Sequence, residues 1–255
     1  MSEKLLTDTA QNVRETFKKI ANAAKEAGRD PSEIRLMAVT KTVAPEKINE
    51  AIEAGCDLLG ENKVQELLEK YESYDKRAEI HFIGRLQTNK VKYIVDKVSM
   101  IESVDSIKLA EEIEKRCAKI DKIMDILLEV NIADEESKGG FSANEILEIS
   151  EKIKEFPHLR LRGLMTIGRF GAEIEETRQY FEKMRHLLVD IKSKNIDNIY
   201  INILSMGMSA DFEIAVSEGA TTVRVGRGLF GARKFVYLIE RFNTGGYYNG
   251  IYGQS

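Results

Sequence analysis

The sequence predicts an α/β protein that folds as a single (β/α)8 TIM barrel with an extra N-terminal helix. Three observations support this prediction: eight short apolar runs, helix-period segments between them, and a chain of 255 residues. Buried strands that alternate with helices form a parallel sheet, because parallel neighbours need long crossover connections. Eight such units in about 230 residues are typical of a closed barrel. The alternative is a doubly wound open sheet, which is disfavoured because no GxGxxG follows the first strand.

The extra helix comes first. Apolar residues from Val13 to Ala24 recur at helical spacing, and Gly28 is suited to end the helix. We therefore predict a helix over residues 8–27.

The barrel units follow in order. The predicted strands are IRLMAV (34–39), DLLGE (57–61), EIHFIG (79–84), MIESV (100–104), MDILLEV (124–130), LRGLMTI (161–167), IYINILSM (199–206) and TTVRVG (221–226). The predicted helices between them are EKINEAIEAG, VQELLEKYESY, VKYIVDK, SIKLAEEIEKRCAKI, ANEILEISEKIK, IEETRQYFEKMRHLLVDIKSK and DFEIAVSEG. No Pro-, Gly- or Ser-rich linker divides the chain, so residues 1–255 are predicted to form one domain, with a flexible Gly- and Tyr-rich tail at about 242–255.

Charge and cysteine usage limit the possible partners. Thirty-eight Lys and Arg against 42 Asp and Glu give a net charge of −4, which predicts neither nucleic acid nor an anionic membrane as a partner. Cys56 and Cys117 lie in strongly patterned segments without a CxxC motif, which disfavours disulfides and a zinc site. The chain begins without a signal-peptide pattern and contains no run of about 18 apolar residues. We therefore expect a cytoplasmic protein.

Polar residues just past the strands are the candidates for chemistry, because barrel active sites lie at the C-terminal ends of the strands. Lys41, in AVTKT after the first strand, is either a solvated loop residue or a desolvated amine that can form a Schiff base. Asn62, in GEN after the second strand, can offer an amide to a ligand. His81, inside the third run, is predicted to be a core histidine. Solvation is the default expectation for Lys90 and Lys138.

Two glycine-containing loops suggest a phosphate site. The loops after strands seven and eight of a barrel often hold phosphate. SMGMS follows strand seven, where Ser209 can cap the next helix and contact a phosphate, and Gly207 permits close backbone approach. VGRG follows strand eight and supplies Gly226, Arg227 and Gly228 at the start of the last helix.

Arg224 adds a third feature. It lies two residues before Gly226 and therefore shares its face of strand eight. The guanidinium either donates to a ring nitrogen at the mouth or extends into solvent. A ligand with an aldehyde for Lys41, a ring nitrogen for Arg224 and a phosphate for the loops is pyridoxal 5′-phosphate.

The motifs AVTKT, GENKVQE, HFIGRLQTNK, SKGGF, RGLMTI, SMGMSADFEIAV and VRVG occur in this order between about residues 10 and 234. In this the chain closely resembles the YggS/PROSC family of pyridoxal phosphate homeostasis proteins. The resemblance implies an alanine-racemase-like barrel that binds, buffers and delivers the cofactor. It also implies the role of each site residue: Lys41 carries the internal aldimine, Arg224 faces the pyridine nitrogen, Ser209 with the backbone of Gly226 and Arg227 holds the phosphate, and Asn62 and Met206 line the pocket.

The chain departs from the family pattern at two positions. Arg227 stands where many members have threonine, so only its backbone N–H is carried over as a phosphate contact. Arg85 stands where many members have proline, which leaves the loop after strand three less constrained.

We expect a non-catalytic protein. An arginine on the pyridine nitrogen favours the unprotonated ring, which is a poor electron sink. The related racemases take a second base from an additional β domain, and the 24 residues after Gly231 are too few to form one. The expected partners are pyridoxal phosphate and the apo-forms of enzymes that use it, and the expected assembly is a monomer or weak homodimer.

Two enzyme functions remain as alternatives. One is a pyridoxal-phosphate-dependent amino-acid racemase or decarboxylase with Lys41 as its only base. The other is a Schiff-base aldolase on sugar phosphates, which the fold also hosts. It ranks lower because strand six ends in LMTI without a lysine.

Overall fold

Eight parallel strands close into a barrel in the computed structural model, which describes residues 7–135, 138–169, 171–196 and 199–231. The predicted tail at 242–255 lies outside these residues. The strands follow chain order around the ring, and β8 pairs with β1 to close it. They are β1 (Arg35–Val39), β2 (Leu58–Glu61), β3 (Glu79–Phe82), β4 (Met100–Val104), β5 (Met124–Glu129), β6 (Leu159–Met165), β7 (Ile199–Ser205) and β8 (Thr222–Val225).

Helices alternate with the strands, which confirms the predicted (β/α)8 barrel with an extra N-terminal helix. In the described part of the chain they are α1 (Asp8–Glu26), α2 (Pro45–Glu53), α3 (Val64–Lys70), α4 (Ile107–Ala118), α5 (Ile146–Ile153), α6 (Ile174–Ser193), α7 (Phe212–Ser217) and α8 (Arg227–Phe230). The extra helix, α1, begins after Thr7, whose side chain accepts a hydrogen bond from Ala10 N. It packs against α7 and α8, where Asn12 Nδ2 donates to Leu229 O at 3.0 Å.

The connection between β3 and β4 differs from the prediction. VKYIVDK was expected to be an α-helix, but the chain forms a 3₁₀ helix at Thr88–Tyr93 followed by turns. Val91 and Ile94 are nonetheless fully buried, so the helical spacing identified the buried face correctly. Ile94 N donates to Val91 O, three residues back, at 3.1 Å. So short a segment gains little from cooperative α-helix formation, and the tighter turn suffices.

The core has two parts. A large outer cluster fills the space between the strands and the helices, with fully buried residues such as Leu59, Ile101 and Val223. A smaller cluster lies inside the barrel and consists of Met100, Leu127 and Met165 with Ile203 packed against them. Because side chains alternate along each strand, the remaining interior positions are available to polar groups.

Cys56 and Cys117 are both buried as free thiols, and burial raises the pKa of Cys56 to about 12. Within the described ranges, no cluster of His, Cys, Asp and Glu could hold a metal ion. Among the helices of the same ranges, none is both long and apolar enough to span a membrane.

Candidate functional site

Lys41 lies in the turn that follows β1, at the C-terminal end of the barrel, and is half-buried. Thr40 on one side of it is fully buried, and its hydroxyl donates to Glu61 Oε1 at 2.6 Å. Tyr74 donates its hydroxyl to the same carboxylate oxygen at 2.6 Å. Glu61 is fully buried at the end of β2, so β1 and β2 are tied together beside Lys41.

Helix α3 holds both neighbours of Lys41 through two side chains. Lys70 Nζ donates to Thr40 O at 3.0 Å and to Glu66 Oε1 at 2.5 Å. The same Glu66 oxygen accepts a hydrogen bond from Thr42 N. We call Glu66 and Lys70 the α3 clamp. Thr42 has a φ of 61°, a conformation that a β-branched residue rarely adopts, so the clamp holds a strained turn in place.

Arg224 lies inside the barrel on β8 and is only 4% exposed. Its guanidinium donates to Ser205 Oγ at 2.8 Å and to Thr166 O at 2.6 Å. The alternative in which this arginine extends into solvent is therefore wrong. Burial lowers the pKa of Arg224, and the charges of Glu102, Glu129 and Asp211 oppose that effect. A guanidinium has five N–H donors, and these two hydrogen bonds use two of them.

Behind Arg224 lies a chain of buried polar groups. Ser205 donates its hydroxyl to Glu102 Oε2 at 2.6 Å, and Glu102 Oε1 is 2.6 Å from His81 Nδ1. Ser205 and Glu102 are fully buried, and His81 is 4% exposed, which confirms its prediction as a core histidine. We call Arg224, Ser205, Glu102 and His81 the interior network.

The loops after β7 and β8 meet at Ser209. Its hydroxyl oxygen accepts hydrogen bonds from Gly226 N and Gly228 N, each at 3.3 Å. Three groups from two loops thus converge on one point. A Cβ at Gly207, where φ is 89°, would collide with the side chain of Ala215, so the loop requires glycine there.

One prediction for this region is wrong. Ser209 does not cap α7, because that helix begins at Phe212 with Asp211 in the N-cap position. Asp211 Oδ1 accepts instead from Met208 N at 2.5 Å, which closes the loop before the helix. Gly226 is the N-cap residue of α8, as expected for the last helix.

Strand order brings these elements together. Met37 pairs with Arg224 across β1 and β8, four residues before Lys41. A Cβ built on Gly226 would lie 3.4 Å from the Cβ of Val39, two residues before the lysine. The two glycine loops and the lysine turn are therefore neighbours on the same edge of the barrel.

Asn62 follows β2 on this edge. Its Oδ1 atom is buried, and the described residues provide no hydrogen-bond partner for it. Buried amide oxygens normally have a partner, so this atom has an acceptor position to offer a ligand. A Cβ at Gly84 would collide with the backbone oxygen of Asn62, so the next loop packs directly against this residue.

The other predicted residues contribute less. Met206 is fully buried within the outer core, which places its side chain in packing. Arg227 and Arg85 are both exposed. Lys90 is exposed as expected, with Nζ 5.8 Å from the centroid of the Tyr93 ring.

A cavity of about 180 Å³ opens on the opposite side of the mouth, next to β5 and β6. It is lined by Glu129, Val130, Asn131, Lys138, Gly139 and Ile167. The expectation that Lys138 is solvated is wrong, because this half-buried residue donates to Glu135 Oε1 at 2.5 Å and to Gly168 O at 3.2 Å. Burial raises the pKa of Glu129, and the charge of Asp105 adds to that effect.

Sequence reasoning missed Glu102, Ser205 and the α3 clamp. Glu102 left a detectable signal, because it is a charged residue within the apolar run MIESV. A buried charge is costly unless it is paired, so such a residue indicates a partner inside the protein. Ser205 and Lys70 gave no comparable signal.

Known proteins match this chain in sequence and in fold. The family model "Alanine racemase, N-terminal domain" matches residues 8–234. The pyridoxal phosphate homeostasis protein of Aquifex aeolicus is 44% identical over 229 residues, which are 89% of this chain and 100% of that relative.

Solved structures agree. A crystal structure of a protein from Bifidobacterium adolescentis has a TM-score of 0.85 and 36% identity, covering 88% of this chain and 94% of the other. PipY of Synechococcus elongatus PCC7942, in a structure with PLP bound, has a TM-score of 0.71 and 30% identity over 83% of this chain and 100% of PipY. By fold, by sequence and by the share of the chain that is matched, the chain belongs to the alanine racemase N-terminal domain family, among the pyridoxal phosphate homeostasis proteins.

Proposed function

We propose that this protein binds pyridoxal 5′-phosphate at the barrel mouth, holds it covalently on Lys41, and buffers or delivers it to enzymes that need it. The relatives support the choice of ligand, since they are named for pyridoxal phosphate homeostasis and PipY has been solved with PLP bound. The observation that carries the proposal is the meeting of three unlike groups on one edge of the barrel.

The first group suits a phosphate. Gly226 N and Gly228 N both donate to Ser209 Oγ, so two amide hydrogens already point to one acceptor position. A phosphate oxygen is a stronger acceptor than a serine hydroxyl and can take the same donors. The hydroxyl of Ser209 can then donate its own proton to the phosphate.

The second group suits an aromatic nitrogen. Arg224 is buried and cationic, and its two hydrogen bonds to Ser205 and Thr166 fix the plane of the guanidinium. Arginine can donate but never accept, so it imposes the acceptor role on a ring nitrogen beside it. That role favours binding over carbanion chemistry, because an unprotonated pyridine withdraws electrons weakly.

The third group is the amine of Lys41. When bound, the cofactor supplies an aldehyde carbon to which a primary amine, that of Lys41 or of a recipient protein, adds reversibly with loss of water. The chain's own contribution is to hold the Lys41 turn through Glu61 and the α3 clamp. Asn62, whose buried Oδ1 has no hydrogen-bond partner among the described residues, adds an acceptor beside the lysine.

Reduction with borohydride tests the covalent link. The purified protein loaded with pyridoxal phosphate should show an absorption band near the visible region. Borohydride should abolish this band and leave a phosphopyridoxyl group on the peptide that contains Lys41. Lys41→Ala should lose the adduct and retain weaker binding through the phosphate loops. Lys47→Ala, at an exposed position on α2, is the matched control. An adduct found mainly on another lysine would contradict the assignment.

A second experiment tests delivery. The loaded protein should reactivate an apo-enzyme that requires pyridoxal phosphate, and should show no racemase or decarboxylase turnover of its own. Lys41-dependent inversion or decarboxylation of an amino acid at about 1 s⁻¹ or faster, in the range of ordinary enzymes, would replace the carrier function with an enzymatic one.

A further inference from the structure

The interior network continues past His81 to the opposite face of the barrel. His81 Nε2 is 3.7 Å from Glu79 Oε2. Glu79 in turn accepts from Arg35 at 3.1 Å, at the N-terminal ends of β1 and β3. Charged groups therefore alternate in sign along the path from the mouth to the far face. The order is Arg224, Glu102, His81, Glu79 and Arg35, with the neutral Ser205 between the first two.

The direction of each hydrogen bond near Arg224 is fixed by chemistry. A guanidinium only donates, so Ser205 Oγ must accept from Arg224. A serine hydroxyl has one proton, which therefore goes to Glu102 Oε2. Glu102 Oε1 lies 2.6 Å from His81 Nδ1, and an ionised Glu102 accepts on both oxygens, from Ser205 and from that nitrogen.

The charge states of the buried groups agree with that order. Burial opposes ionisation of Glu102, but the hydrogen bond and charge of His81, followed by Arg224 and Ser205, hold its pKa below the ordinary value. Burial also opposes protonation of His81, but Glu102 and Glu79 raise its pKa above the ordinary value. Both shifts favour an anionic Glu102 between a protonated His81 and Arg224.

The serine between Glu102 and Arg224 matters for a ligand. A carboxylate in direct contact with a guanidinium tends to take two parallel N–H groups. Here the hydroxyl stands between them, so Arg224 uses one N–H on Ser205 and another on Thr166. The negative charge of Glu102 is therefore close to Arg224, but no N–H group of Arg224 is used on the carboxylate.

We infer that Glu102, acting through Ser205, is the positioning residue that fixes Arg224 for the ring nitrogen of the bound cofactor. This inference rests on the proposed function. Glu102 does not touch the cofactor in this role: it balances the charge of Arg224 and, through Ser205, fixes the plane of the guanidinium, and Arg224 makes the contact. Glu129 and Asp211 also lie close enough to influence Arg224, but the described hydrogen bonds link only Glu102 to it through a single side chain.

The test uses pyridoxal phosphate labelled with ¹⁵N in the ring, bound to the full chain and observed by NMR. In Ser205→Ala and Glu102→Gln the ring-nitrogen signal should move from its wild-type position, because Arg224 is no longer held in place. The dissociation constant should rise roughly tenfold, the order expected when a charge-assisted hydrogen bond is weakened. Ser205→Thr keeps the hydroxyl and should restore both values.

Ser150→Ala is the control, because Ser150 is also fully buried but donates within α5, to Ile146 O. A ring-nitrogen signal in Ser205→Ala that matches the wild type, or that changes no more than in Ser150→Ala, would overturn the inference. Ser205→Ala removes a single oxygen, so it keeps the test decisive even where Glu102→Gln fails to fold. Failure of the wild-type protein to bind the labelled cofactor would instead contradict the proposed function.

Discussion

Lys41 and Arg224 lie at the same barrel mouth, but different parts of the molecule hold them. Lys41 lies in a loop whose neighbours are tied to the α3 clamp, and the clamp side chains are 13% and 16% exposed. Arg224 lies on a strand, and Ser205 and Glu102 behind it are fully buried. A helix at the rim therefore holds the amine, and the barrel core holds the guanidinium.

The difference has a physical consequence for the two halves of the site. The clamp joins residues 24 to 30 positions apart, so it can loosen while the barrel stays closed. The interior network joins Ser205 to Glu102 across 103 positions and cannot open without disturbing the core. We expect the lysine side to govern attachment and release, and the arginine side to be coupled to folding.

The largest expected effect is on stability. Glu102→Ala removes a fully buried carboxylate and leaves His81 Nδ1 and the Ser205 hydroxyl without their partner. The free energy of unfolding should fall by about 3–5 kcal/mol, as when one member of a buried pair is removed. Urea unfolding measures it. Glu148→Ala, which breaks an exposed pair with Lys152, should cost far less stability, because exposed ion pairs contribute little. Equal losses in the two variants would mean that the core does not depend on the network.

Substitution in the α3 clamp should cost less stability than Glu102→Ala, but it should change the rate of covalent attachment at Lys41. Lys70→Met removes the donor to Thr40 O and the partner of Glu66. Unfolding should become easier by about 1–2 kcal/mol, because a charged hydrogen bond is lost from a partly exposed site. The rate of covalent attachment at Lys41 should fall, which stopped-flow absorbance measures. Lys76→Met, at an exposed pair, is the control. An unchanged attachment rate would show that the clamp is not needed to present the lysine.

The smallest expected effect is on how the free energy of unfolding depends on pH in the acid range. His81, followed by Arg35, holds the pKa of Glu79 at about 2, below its ordinary value of 4.5. A lowered pKa means that Glu79 contributes stability above pH 4.5, and that this contribution is lost as the pH falls towards 2. The difference in unfolding free energy between wild type and Glu79→Gln should therefore shrink on acidification.

Unfolding in urea at several pH values between 7 and 2 measures this difference, with Glu72→Gln at an exposed pair as the control. The raised pKa of His81 acts in the opposite sense. Its contribution is complete below its ordinary value of 6.5 and is lost as the pH rises through the raised value. A difference in unfolding free energy between wild type and Glu79→Gln that grows as the pH falls would contradict the assignment for Glu79.

The sequence predicted the barrel well because its signals are local. All eight strands were located from apolar runs, and α1 from residues at helical spacing. The same local spacing could not distinguish an α-helix from the 3₁₀ helix at Thr88–Tyr93. The sequence also assigned Ser209 as the cap of α7, since serine and aspartate are both good capping residues and only the fold places Asp211 in the N-cap position.

The site was predictable only in part, for a related reason. Lys41, Arg224 and the glycine loops follow strands, so the rule for barrel mouths identified them. The residues that support them come from elsewhere in the chain. Neither the hydrogen bond of Lys70 to Thr40 nor the binding of Lys138 to Gly168 O leaves a pattern in the sequence. Such contacts depend on the register of the closed barrel.

The hydroxyl proton of Ser205 has one further consequence. It is directed to Glu102 in a fully buried position, and the proton on His81 Nδ1 is directed to the same carboxylate. Ser205 is fully buried and His81 is 4% exposed, so both protons should exchange with deuterium slowly, mainly when the core opens. The lifetimes of the two protons would therefore record how often the core of the barrel opens.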